Sequence, residues 1–105
     1  MRAAVCREFG APLRIEQIEI DPPREGEVMV RLKACGICHS DIHYIDGAWG
    51  GELPAVYGHE TAGVIESVGP GVSTVVPGDR VIATLLRSCG ECYYCARDAA
   101  YLCAG

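Results

Sequence analysis

One hundred and five residues, half of them hydrophobic and 22% charged, suit one small globular domain and exclude a disordered chain. Fourteen acidic residues against nine basic ones give a formal charge of −5. That balance argues against nucleic acid or an anionic membrane surface as the main partner. The longest apolar run, Val81 to Leu86 interrupted at Thr84, is far short of the roughly 20 residues of a spanning helix. The N-terminal MRAAVCREFG carries an arginine but no apolar core, so no secretory signal and a cytoplasmic location are expected.

In chain order, Leu13, Ile15, Ile18 and Ile20 alternate with polar residues, with a phase slip at Gln17 that predicts a bulge. Glu27 to Lys33 alternates cleanly, Val28, Val30 and Leu32 on one face and Arg31 and Lys33 on the other. Ser40 to Ile45 is the first helix candidate. Thr61 to Val68 and Arg80 to Leu86 are rich in Val and Ile and read as strands. Arg97 to Leu102 is a weak second helix. Turn signals fall between them at Asp21-Pro22-Pro23, Gly50-Gly51, Gly69-Pro70-Gly71 and Pro77-Gly78-Asp79. The pattern predicts a mainly β fold, a small β-barrel with a cysteine-rich lobe over about 88–104. No strand–G-x-G-x-x-G–helix unit occurs, so the chain is not expected to hold a dinucleotide by itself.

Seven cysteines without an export signal point to metal rather than disulfides. Cys89, Cys92, Cys95 and Cys103 form C-x2-C-x2-C-x7-C, a spacing that lets four thiolates converge on one zinc in a closed, structural site. Gly90 permits the first turn, and Asp98 tolerates left-handed geometry at a later one. An iron–sulfur cluster is the rival, but a bacterial cluster run ends C-x3-C-P, whereas here the last gap is seven residues and Ala104 follows. Cys35-Gly36-Ile37-Cys38 is formally a redox C-x-x-C, yet the βαβ context of a dithiol enzyme is missing. His39, Ser40, Asp41 and His43 follow directly, and Gly58-His59-Glu60 comes later. A structural role is the ordinary one for a lone histidine; three histidines, a cysteine and two acids in these motifs point to a site.

These residues resemble the zinc-dependent medium-chain alcohol dehydrogenases, in their N-terminal catalytic, GroES-like domain. Gly58-His59-Glu60-x-x-Gly63-x5-Gly69-x2-Val72 matches the family's zinc signature, and Gly78-Asp79-Arg80-Val81 and the four-cysteine lobe fall where the family has them. The resemblance covers 1–105 and implies a GroES-like β-barrel. It implies that Cys38 and His59 are ligands of a catalytic zinc, with Glu60 beside or on the metal and a third ligand, a cysteine, later than residue 105. Asp41 matches the carboxylate that orients the ligating histidine. Cys35 matches a packing position. The resemblance further implies oxidation of an alcohol, or reduction of an aldehyde or ketone, by hydride transfer with NAD or NADP. Ser40 and His43 then match the proton relay, and His39 the position that meets the cofactor pyrophosphate. Trp49 and Leu85 match pocket-lining positions, where ordinary packing competes as an explanation. A full member has a Rossmann domain that these residues lack, and the full-length form is expected to be a homo-oligomer. Asp98 departs from the family, which often has glycine there. A non-enzymatic zinc-bearing barrel, or an inactive remnant, stands as the alternative.

Overall fold

The computed structural model describes residues 1–105. Its elements are β1 (Arg2–Val5), β2 (Arg14–Gln17), β3 (Val28–Gly36), α1 (His39–Asp46), β4 (Glu60–Val68) and β5 (Arg80–Ala83). The remaining helix is two single 3-10 turns, Cys95–Arg97 and Ala100–Leu102. The chain is mainly β, as its alternating segments predict.

β1 and β2 pair antiparallel, and β3, β4 and β5 form a second antiparallel sheet in that order. Cys6, just past β1, exchanges backbone hydrogen bonds of 2.8 and 3.0 Å with Ala55. This bridge ties the first hairpin to the segment that leads into β4. Five details differ from the sequence reading. β1 is a strand although its Ala3-Ala4 centre carries no alternation. β2 stops at Gln17, the residue where the phase slips. β3 runs on to Gly36, through two register irregularities, at Met29/Val30 and at Leu32/Ala34. β5 ends at Ala83 rather than Leu86, and Arg97–Leu102 is not one helix: Asp98, at φ 57°, separates the two 3-10 turns.

The zinc-signature glycines are explained by packing. A Cβ on Gly63 would overlap the Arg31 carbonyl oxygen across the β3–β4 ladder, and one on Gly69 would overlap that of Arg24. Only glycine lets the backbones approach this closely. α1 starts at Cys38, which is extended (φ −89°, ψ 152°), and stops at Gly47, whose left-handed φ of 81° ends the helix.

Little is buried. The apolar core is Val5, Cys6 and Ile65, while Ile37 and Ile82 are 85% and 84% exposed. The accessible surface is 8104 Å², against about 5,700 Å² for a compact monomer of this mass. The radius of gyration, 15.9 Å, likewise exceeds the roughly 13 Å of a compact chain of this length. No helix is long and apolar enough to cross a membrane.

Candidate metal centres

The β3–β4 ladder builds the first centre. Gly36 and Glu60 are cross-strand partners at the end of that ladder. Cys38 lies two residues beyond Gly36, at the N-cap of α1, and His59 one residue before Glu60. The pairing therefore brings two distant segments together, and the ligating atoms of Cys38, His59 and Glu60 lie within 4.8 Å of one another. Thiolate, imidazole and carboxylate are the donor types that zinc takes. The donor set fits the ion that the sequence implies.

Asp41 fixes this arrangement. One carboxylate oxygen accepts a hydrogen bond from the Cys38 backbone N–H at 3.0 Å, and the other lies 3.3 Å from His59 Nδ1. With Nδ1 turned to the carboxylate, Nε2 is the nitrogen left for a cation. Asp41 is buried and sits in the first turn of α1, where a negative charge also meets the positive end of the helix dipole.

The helix carries the other expected residues in a row of rings. His39 and His43 meet edge to face at 4.8 Å between centroids, one turn apart on α1. His43 meets Trp49 at 4.9 Å, and Trp49 meets Tyr44 edge-on at 5.0 Å. Tyr44 in turn stacks on Tyr57 at 5.4 Å with planes 17° apart. Burial, and then the neighbouring Cys6 and Tyr44, push the Tyr57 hydroxyl above its ordinary pKa. The sequence singled out His39, His43 and Trp49 but neither tyrosine, because no motif spans the gap from 44 to 57. Ser40 is half-buried on α1. Leu85, 67% exposed, lies beyond the end of β5. Cys35 is exposed, and its thiol lies over Gly58, where a Cβ would come within 2.9 Å of the sulfur.

The second centre is the lobe. The sulfurs of Cys89, Cys92, Cys95 and Cys103 lie within 4.8 Å of one another, and those of Cys89 and Cys95 are 4.0 Å apart. Backbone N–H groups donate to three of them: Cys92 to Cys89 and Cys89 to Cys103, each at 3.3 Å, and Cys95 to Cys92 at 3.5 Å. Such donors stabilise thiolates, the form a metal requires. At Cys92 the backbone of Cys95, followed by that of Ala104, draws the thiol down to about 6. Cys89 is lowered as well, first by the backbone of Glu91. At Cys95 the Gly90 backbone pulls downward, but burial and the surrounding thiols outweigh it and push that group up to about 11. Gly90 and Asp98 both adopt the left-handed turns expected of them, at φ 83° and 57°, so the Asp98 departure leaves the turn intact.

The family model of the alcohol dehydrogenase GroES-like domain matches residues 24–105. The chain belongs to that family. It is 51% identical, over 97% of its length, to an NDMA-dependent alcohol dehydrogenase of Amycolatopsis methanolica, of which it covers 28%. The crystal structure of an alcohol dehydrogenase zinc-binding domain protein from Burkholderia ambifaria superposes with a TM-score of 0.90 at 47% identity. That match covers 98% of this chain and 28% of the other. An E. coli alcohol dehydrogenase complexed with the cofactor NADH gives a TM-score of 0.80 at 39% identity, covering 98% and 30%. This GroES-like domain thus spans under a third of the length of the relatives it matches.

Proposed function

We propose that this GroES-like domain is the catalytic-zinc and proton-relay half of an NAD- or NADP-dependent alcohol dehydrogenase acting on a small alcohol or aldehyde. The observation that carries the reading is the convergence of Cys38, His59 and Glu60 with Asp41 behind His59. A scaffold has no need of a carboxylate that sets a histidine tautomer beside an open donor triad. The large accessible surface supports the same reading, since one half of a larger protein keeps apolar area for its remaining part.

In this reading Cys38, His59 and Glu60 hold a zinc ion, and Cys89, Cys92, Cys95 and Cys103 hold a structural one. When bound, zinc would lower the pKa of an alcohol hydroxyl and a nicotinamide would provide the hydride acceptor. Asp41 holds His59 so that Nε2 faces the ion. Ser40 Oγ would take up the substrate proton, and the His43 imidazole on the same helix would release it to water. His39, exposed at the start of α1, would be placed to meet the cofactor pyrophosphate. Trp49 and Leu85 line the alcohol pocket. The cofactor is held by a Rossmann domain outside these 105 residues.

The test uses the gene product read through beyond Gly105, assayed for alcohol-dependent reduction of NAD or NADP. Turnover is expected to fall in Ser40→Ala with zinc content unchanged. Loss of zinc in Ser40→Ala refutes the relay role, and no turnover with either cofactor across primary and secondary alcohols refutes the reading.

A further inference from the structure

Gly36 ends β3 directly opposite Glu60 at the first metal centre. Its φ lies outside the left-handed region, so the backbone there accommodates any L-residue. The demand for glycine comes from a side chain. A Cβ at position 36 would overlap Glu60 Oε2 and lie 3.2 Å from Glu60 Cβ, where directly paired residues of an antiparallel ladder ordinarily keep their Cβ atoms about 4.5–5.5 Å apart. Glu60 therefore does not stand off the sheet like its neighbours. It lies across the empty place of its own cross-strand partner. That path brings its carboxylate to within 4.8 Å of the Cys38 and His59 ligating atoms.

We infer that Gly36 is the positioning residue that brings Glu60 into this centre as a donor beside Cys38 and His59. The inference rests on the zinc reading of Cys38 and His59. Among residues 1–105, the carboxylate adds a second negative charge beside the Cys38 thiolate, which suits a divalent cation. An alanine at 36 leaves the backbone unstrained and the Cys38 and His59 side chains in place. It turns the Glu60 carboxylate away from them.

The test is a double-mutant cycle on the 105-residue chain, with the cysteine lobe first filled with one equivalent of zinc and the second site titrated with Co²⁺. The visible bands of the bound Co²⁺ report its ligand set. Gly36→Ala and Glu60→Gln are each expected to weaken Co²⁺ binding by about 10–100-fold, the range typical when a supporting group of a metal site is lost. The double variant is expected to be no weaker than either single one, because both remove the same contact. Effects that multiply, or Co²⁺ affinity unchanged in Gly36→Ala, overturn the inference. If Gly36→Ala does not fold, Glu60→Ala with and without Gly36→Ala replaces it, since truncation at 60 removes the overlapping carboxylate. Added acetate should then restore the Co²⁺ spectrum only where Gly36 is kept, and any other pattern overturns the inference. A wild-type chain that takes up no second ion refutes the zinc reading itself, a result distinct from all of these.

Discussion

Asp41 is the one charged side chain in the buried set, at 7% exposure, and both of its oxygens are engaged. Asp41→Asn keeps the size and an acceptor for the Cys38 N–H but removes the negative charge facing His59 Nδ1. Zinc affinity at the first centre is expected to fall about 10–100-fold while the lobe keeps its metal, measured as two-step zinc release to a chelator. Equal release of both ions from the variant and the wild type would show that Asp41 does not orient the ligand. In the lobe, Cys92 and Cys95 differ although each follows its predecessor at the same spacing. A thiol drawn down to about 6 is mostly thiolate at pH 7, and one pushed up to about 11 is not. In metal-free chain at pH 7, iodoacetamide should therefore modify Cys92 well before Cys95, as read by peptide mass mapping. Below about pH 6 the rate at Cys92 should fall as the depressed group protonates, while its lead over Cys95 persists.

At the scale of elements, β3 and β4 fix the site, and their contact depends on glycine. Gly63→Ala forces a methyl against the Arg31 carbonyl oxygen, so the ladder must part or shift there. About 1–3 kcal/mol of destabilisation is expected, read from denaturant unfolding, with zinc at the Cys38–His59 centre weakened in step because the two strands aim both ligands. An unchanged midpoint would mean that the strands tolerate the separation. The alternation of Val28, Val30 and Leu32 made β3 legible in the sequence, and Val and Ile did so for β4. The continuation of β3 through Ala34, Cys35 and Gly36 was not legible. Small residues there show no period, and they pair because Thr61 and Glu60 lie opposite. β1 escaped for a similar reason: Ala3 and Ala4 lack a signal, and the partner strand β2 supplies the pairing. The lobe was legible from spacing, but its helical reading over Arg97–Leu102 ran through Asp98, whose left-handed turn divides it. The ring stack of Tyr44 and Tyr57 was not, since it depends on how the loop after Gly47 folds back over α1.

Across the whole molecule, the balance between surface and core decides how the chain behaves alone. Val5, Cys6 and Ile65 make a very small apolar core, while Leu32, Ile82, Leu85 and Leu86 are all more than half exposed. β5 is the outer strand of its sheet, bonded to β4 on one side, so the exposed Ile82 adjoins an unpaired edge, a combination that invites association. The 105-residue chain is therefore expected to bind a hydrophobic dye such as ANS and to associate as its concentration rises. Ile82→Lys should reduce both effects. Because Ile82 is already in water, that substitution removes almost no buried area, and the unfolding midpoint should move by no more than about 0.5 kcal/mol, as at an ordinary surface site. A large loss of stability in Ile82→Lys, or dye binding that does not change, would show that the exposed face is not what governs association. The metal acts in the opposite direction. Filling the lobe organises residues 89–103 around four sulfurs and adds stability that the small core does not provide. Chelation should therefore lower the midpoint of wild type and Ile82→Lys equally, which separates the contribution of the lobe from that of the sheet.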